Sequence, residues 1–178
     1  MEIYETLRSE KVYEGKLIDV VLDSIRLPNG KEALREVVVH GPAAAVLPVD
    51  STGRLVLVRQ YRHPAKSMSL EIPAGLSEPD EDPAACAVRE LLEETGLTAD
   101  KLTFLFKFYA SIGFCTEILY LYIAEGLHEG EQNLDEDEFV TIERLTPDEV
   151  LENIASGCIV DAKTIAAVLG YLNLKRPS

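Results

Sequence analysis

One helix is written into the middle of this sequence, and it carries its acids on one side. Asp82 can cap it, Pro83 fits its first position, residues 84–95 are mostly good helix formers, and Gly96 suits the left-handed residue that ends it. On a wheel turning about 100° per residue, with Glu90 at zero, Glu94 falls near about +40° and Glu93 near about −60°. Three carboxylates therefore share one side of a single turn. Ala84, Ala85, Val88, Leu91, Leu92 and Thr95 fall opposite and form the predicted core face, while Cys86 and Ala87 leave space beside the acids. Like charges at these spacings cost a helix about 0.2–0.5 kcal/mol per pair. Arg89 can reach Glu93 one turn on, but it is one cation among three anions.

Around this helix the chain reads mainly as strand. Residues 1–40 are extended, with a Pro28-Asn29-Gly30 turn between two β-branched runs. Residues 43–49 and 54–61 follow as strands, the second apolar on both faces and so predicted to be covered on both. Residues 102–110, 117–124 and 139–145 are again strand-like. Thr146-Pro147-Asp148-Glu149 has the pattern of a capping box opening a helix to about Ala155, and Asp161 caps a last helix over 162–172. Regular β-α-β alternation is absent, so the expected class is α/β, or α+β by some classifications, with a mixed sheet and three helices. The expected organisation is an N-terminal antiparallel β extension, 1–40, and a main domain, 41–178.

Composition narrows the function. The 178 residues carry a net charge of −14, and the imbalance lies in the second part of the chain: residues 1–66 hold ten Lys/Arg against nine Asp/Glu, residues 67–178 hold seven against 22. Nucleic acid and anionic membranes are poor partners for such a surface. No apolar run approaches a membrane span, and the start lacks a basic head with an apolar stretch, which predicts no secretory leader. The three cysteines are scattered without a Cys-x-x-Cys pair and the three histidines have no ligand spacing, so a cytoplasmic protein is expected and any metal must take oxygen ligands.

A solvated acidic face is the plain explanation for Glu-x-x-Glu-Glu taken alone. The alternative is a hard divalent cation, Mg²⁺ or Mn²⁺, serving phosphoryl chemistry. The flanks favour the second. Residues 75–97 run Gly75, five residues, Glu81, seven residues, Arg89-Glu90-Leu91-Leu92-Glu93-Glu94-Thr95-Gly96-Leu97. This segment resembles the Nudix box, with every defining position filled. The resemblance extends over nearly the whole chain to the ADP-ribose pyrophosphatase branch, through Glu71-Ile72-Pro73-Ala74-Gly75, the acidic stretch Leu134-Asp135-Glu136-Asp137-Glu138-Phe139 and the extended N-terminal region.

That resemblance implies an α/β/α sandwich around a mixed sheet and an enzyme, a hydrolase of phosphorus-containing anhydrides. Its substrate would be ADP-ribose or a related ADP-sugar, split with Mg²⁺ (Mn²⁺ substituting) into AMP and a sugar phosphate. By position, Glu90 and Glu94 would be the principal metal ligands, Glu93 a further ligand or proton acceptor, and the Ala74 carbonyl would complete the set. Gly75, Glu81, Arg89 and Gly96 would be structural. Arg35, Arg62 and Glu117 match substrate-binding positions, and Glu136 matches a catalytic acid that orients or deprotonates water. The branch also implies a homodimer formed through the N-terminal strands.

One departure bears on the substrate. The branch carries a proline sixteen residues after Gly96, where this chain has Ile112. Hydrolysis is untouched by that change, but the ADP-ribose preference loses support. Alternatives are a pyrophosphatase for GDP-mannose, another nucleotide sugar or a dinucleotide, and a nucleotide sensor that binds without turnover.

Overall fold

The computed structural model describes residues 4–134 and 139–176. The expected catalytic acid Glu136, with Asp135, Asp137 and Glu138, lies outside the described residues. Two compact units are present. The first runs to Pro42 and takes in Phe108–Ile118; the second holds Ala43–Lys107 and the chain from Leu119 onward.

The first unit is an antiparallel meander of β1 (Glu5–Glu14), β2 (Asp19–Arg26) and β3 (Glu32–Val39), in that order. The Pro28-Asn29-Gly30 turn joins the last two, with Gly30 at φ 80° and its N–H donating to the Leu27 carbonyl at 2.8 Å. Residues 108–118 return to this unit: the Val38 N–H donates to the Phe114 carbonyl at 2.7 Å, and the Thr116 N–H to the Val38 carbonyl at 3.0 Å. Nothing local in the sequence marks that return, because it depends on pairing across some seventy positions. Within the three strands only Ile25 is buried. A sheet this thin has no core of its own.

The second unit is built on β4 (Ala43–Val49) and β5 (Leu55–Arg62). Its mixed sheet runs β10 (Thr141–Leu145), β5, β4, β9 (Ile118–Glu129), β8 (Leu97–Tyr109), with β6 (Ser67–Glu71) paired to β5 and β7 (Ala74–Leu76) to β4. β4 and β9 are parallel, whereas β4 pairs antiparallel with β5 and β7. Every residue of β4 and the Leu55–Val58 half of β5 is buried, which requires cover on both faces, as the apolar run predicts. Ala44, Val46 and Val56 form one cluster with Cys86, Ala87 and Leu91 of α1 (Pro83–Thr95). The alternate residues of β4 point the other way, and α3 (Ala162–Leu174) also packs on β4. The fold is therefore mixed α/β: among the described residues it has three helices, of which α1 and α3 pack on β4 of the mixed sheet, and a three-stranded antiparallel sheet. α2 (Pro147–Ala155) opens with the expected capping box between Thr146 and Glu149.

α1 has the expected ends: Asp82 accepts from the Ala84 N–H at 2.8 Å, and Gly96, at φ 69°, donates to the Leu92 carbonyl at 2.7 Å. Its inward face differs from expectation. Cys86, Ala87, Glu90, Leu91, Glu94 and Thr95 are buried, whereas Ala85, Val88 and Leu92 of the predicted core face are exposed, Val88 by 49%. The helix is rolled so that two of its acids point into the protein. Apolar patterning placed them outward because it counts a carboxylate as a solvent-seeking group and ignores polar backbone waiting for it inside.

Candidate active site

Small residues prepare the place where those acids go. β7 lies on the first three residues of β4, pairing Ala74 with Ala45, Gly75 with Ala44 and Leu76 with Ala43. Pro73 closes the approach, its carbonyl accepting from the Val46 N–H at 3.0 Å. α1 packs against both strands. Glu94, 3% exposed, accepts from the Ala74 N–H through Oε2 at 3.2 Å. Glu90 lies over Gly75 so closely that a β-carbon there would come within 1.9 Å of its Oε1. Gly75 is one of the residues expected to be structural. In the structure its missing side chain makes room for the Glu90 carboxylate.

Arg89 organises the remaining acids. Its Nε and Nη2 donate to the two Glu81 oxygens at 3.0 and 3.1 Å, Nη2 also to the Leu76 carbonyl at 2.9 Å, and Nη1 to Glu90 and Glu93 at 2.6 and 2.9 Å. The loop before α1 is thus tied to the helix by one guanidinium. Hydrogen bonds from Arg89 first, and from the Glu78 N–H, hold the Glu81 carboxyl down at about 2. The same contacts push Arg89 well above its ordinary range, Glu81 contributing most.

Glu90 and Glu94 are thus brought beside the Ala74 and Gly75 backbone, and Glu93, one turn of α1 from Arg89, is joined to Glu90 through that guanidinium. Among the described residues, no three His, Cys, Asp or Glu side chains converge closely enough to be counted as a metal site. Arg89 stands between Glu90 and Glu93 in the place a shared cation would compete for. The donor set itself is hard oxygen throughout, carboxylate and backbone carbonyl. It suits Mg²⁺ or Mn²⁺ and not a soft or imidazole-preferring metal.

Arg62, at the end of β5, grips Glu71 with both Nε and Nη2, at 2.8 and 2.7 Å. Glu71 is 2% exposed and also receives Lys163 from α3. Burial alone would push its carboxyl up, but the Arg62 hydrogen bonds and Lys163 overcome that and bring it from 4.5 to about 2. Arg62 is pushed above its ordinary range, by its Glu71 hydrogen bonds foremost, with the charges of Glu94 and Asp161 adding to them. The Arg62 charge therefore lies within electrostatic reach of Glu94 on α1.

Arg35 and Glu117 belong to the first unit. Arg35 is exposed on β3, donating to the Leu34 carbonyl at 2.8 Å. Glu117 is partly buried and stands 3.8 Å from His40 Nδ1. Ile112 is 78% exposed in the segment between β8 and β9. Sequence patterning missed Glu71 and Lys163 as parts of a charged network. The available signal was an acid inside the apolar run Leu70-Glu71-Ile72, which a buried strand tolerates only with a cation beside it.

Comparison with known proteins agrees with this geometry. The NUDIX domain model matches residues 39–168, and the nucleoside diphosphate sugar hydrolase N-terminal domain matches residues 4–38. The chain is 44% identical over 173 residues to an ADP-ribose pyrophosphatase of Bacillus subtilis (strain 168), covering 96% of this chain and 93% of that protein. It is 42% identical, with the same coverage, to a Bacillus methanolicus protein named methanol dehydrogenase activator. The crystal structure of an ADP compounds hydrolase matches with a TM-score of 0.89 at 23% identity, over 98% of this chain and 95% of that one, which shows a shared fold. With a box segment folded as loop and capped helix and a family match over most of its length, this chain belongs to the Nudix family, in its ADP-ribose pyrophosphatase branch, and is a pyrophosphohydrolase.

Proposed function

We propose that the protein hydrolyses the diphosphate bond of ADP-ribose or a related ADP-sugar in a Mg²⁺-dependent reaction, giving AMP and a sugar phosphate. The observation that carries this is the pair of buried carboxylates, Glu90 and Glu94, packed against the Ala74-Gly75 backbone. Two buried carboxylates a helical turn apart repel one another, and a divalent cation held by both would offset that repulsion. Identity of 44% to an ADP-ribose pyrophosphatase across nearly the whole chain supports the substrate class.

Mg²⁺, which Mn²⁺ could replace, would be held by Glu90 and Glu94 with Glu93 and the Ala74 carbonyl, and would neutralise phosphate oxygens and acidify a water. The chain's own part is positioning. Arg62, its Nε and Nη2 held by Glu71, supplies its remaining amino group to a phosphate. Either Glu93, less buried than Glu90 and Glu94, or Glu136 would accept the one proton that the attacking water loses, the other serving as a further ligand or orienting that water. Water adds to one phosphorus, the bond to the bridging oxygen breaks, and no covalent enzyme intermediate forms. Arg35 and Glu117 are assigned to substrate binding on sequence resemblance. Arg89, Glu81, Gly75 and Gly96 hold the loop and helix.

The protein works in the cytoplasm, a reading supported by its three free cysteines. Among the described residues no helix is long and apolar enough to cross a membrane. A homodimer joined through the β1–β3 sheet is supported by the lack of a core in that sheet.

Incubation with ADP-ribose and Mg²⁺, with products identified by mass, tests the assignment. AMP and ribose phosphate are expected. Ile112, standing where the branch has proline, favours including a second class of substrate, GDP-mannose and dinucleotides. Release of GMP without AMP would move the assignment to that class.

A further inference from the structure

The Arg62–Glu71 pair is more elaborate than a phosphate-binding arginine needs. Glu71 ends β6 in the interior, and both its oxygens are engaged by Arg62. Lys163, its side chain 11% exposed, bonds the same Oε2 and pairs with Asp161 at 3.0 Å. Asp161 caps α3 by accepting from the Thr164 N–H at 2.9 Å, and the Thr164 hydroxyl accepts from the Ile72 N–H at 2.9 Å. The end of β6 is therefore fastened to the start of α3 at Glu71 and again at Ile72, the residue after it. Against that fixed carboxylate the Arg62 guanidinium has one orientation, with Nε and Nη2 committed and Nη1 left over among the described residues.

Charge explains why such fixing matters. Arg62 also feels Glu94. A guanidinium free to move would swing toward the α1 acids, as Arg89 already does with Glu90 and Glu93, and would compete there with any cation. An interior carboxylate that takes both Nε and Nη2 prevents this and leaves the remaining amino group for an anion.

We propose that Glu71 is a positioning residue that, braced by Lys163 and Asp161, holds Arg62 away from Glu94 and presents its free Nη1 to a substrate phosphate. This rests on the phosphate-binding role given to Arg62 above, and it adds a second network, drawn from β6 and α3, that the box does not contain.

The test is steady-state kinetics on the full-length protein with ADP-ribose and Mg²⁺, comparing Glu71→Gln, Arg62→Ala and the double variant. Glu71→Gln is expected to raise KM at least tenfold and to raise the Mg²⁺ concentration for half-maximal rate, with kcat at saturation of both changed less than threefold. In the Arg62→Ala background the same substitution should change KM less than threefold, because Glu71 acts through Arg62. Since Glu71→Gln leaves Lys163 short of a counter-charge, Glu71→Gln/Lys163→Gln provides a neutral replacement. It should melt near the wild-type temperature and keep the raised KM. A wild-type KM in Glu71→Gln, or effects that multiply fully with Arg62→Ala, would overturn the positioning role while leaving the hydrolase assignment intact. A wild-type protein inert toward every nucleoside diphosphate derivative would overturn both.

Discussion

The Glu90 carboxylate occupies the space where a side chain on Gly75 would begin, with Oε1 only 1.9 Å from the position of a β-carbon. The two residues are fifteen apart in sequence and belong to β7 and α1, so this contact sets how closely the helix lies on the strand. Gly75→Ala is expected to fold, because the obstacle is the far end of a flexible side chain and can rotate away. The displaced Glu90 carboxylate would lose its place over the β7 backbone, and turnover should fall about 100-fold, the usual consequence of misplacing a group at the reacting centre by an ångström. A circular dichroism melt together with initial rates checks this. A Gly75→Ala protein as active as wild type would show that the position of Glu90 is unimportant.

Glu94→Gln separates the metal assignment from a structural one. Glutamine keeps an acceptor for the Ala74 N–H and removes one of two like charges a helical turn apart, a relief of about 0.2–0.5 kcal/mol. The melting temperature should hold or rise slightly. Activity should drop by about three orders of magnitude, the scale of losing several kcal/mol of transition-state charge stabilisation. Wild-type enzyme treated with a chelator should lose activity and recover it on adding Mg²⁺ or Mn²⁺. Persistence of turnover in Glu94→Gln, or after chelation, would remove the metal from the mechanism.

What could be read from the sequence, and what could not, divides along the range of the interactions involved. α1, α2 and α3 begin where Asp82, Thr146 and Asp161 said they would, because a cap is a contact between residues two or three apart. The cover on both faces of β5 followed from an unbroken apolar run. The inward roll of α1 did not, since Val88 and Leu92 look like core by hydropathy and Glu90 looks like surface. What overrides hydropathy is the Ala74-Gly75 backbone, supplied by another strand. The Glu71–Lys163 bond joins residues 92 apart, and no local pattern reports it.

The exposed and half-buried apolar residues of the first unit give an assembly prediction. Val12, Val20, Leu22, Leu34, Val38 and Phe114 line a groove of about 740 Å³, with Leu34 60% exposed. Sedimentation is expected to show two 19.7 kDa chains together, and Leu34→Glu to shift the population toward single chains by placing a charge in an apolar contact. Wild-type protein sedimenting as a single chain at assay concentration would exclude the dimer.

Glu71 also fixes how the protein should respond to acid. Its carboxyl titrates at about 2 in the folded protein against 4.5 ordinarily, so the unfolded chain binds the proton first as pH falls. The groups facing it are Arg62 from β5 and Lys163 from α3, with Asp161 behind the lysine. The stabilisation is therefore complete above pH 4.5 and is lost progressively as pH drops toward 2, by an amount on the order of 3 kcal/mol for a shift of this size. Urea unfolding followed between pH 6 and pH 2.5 should show a steep loss of stability below about pH 4.5 in the wild type. Glu71→Gln should start from a lower plateau and fall less steeply, because it has no carboxylate to protonate at that site. If the two curves run parallel across this window, Glu71 carries no charge-dependent stabilisation and the network around Arg62 is held by packing alone.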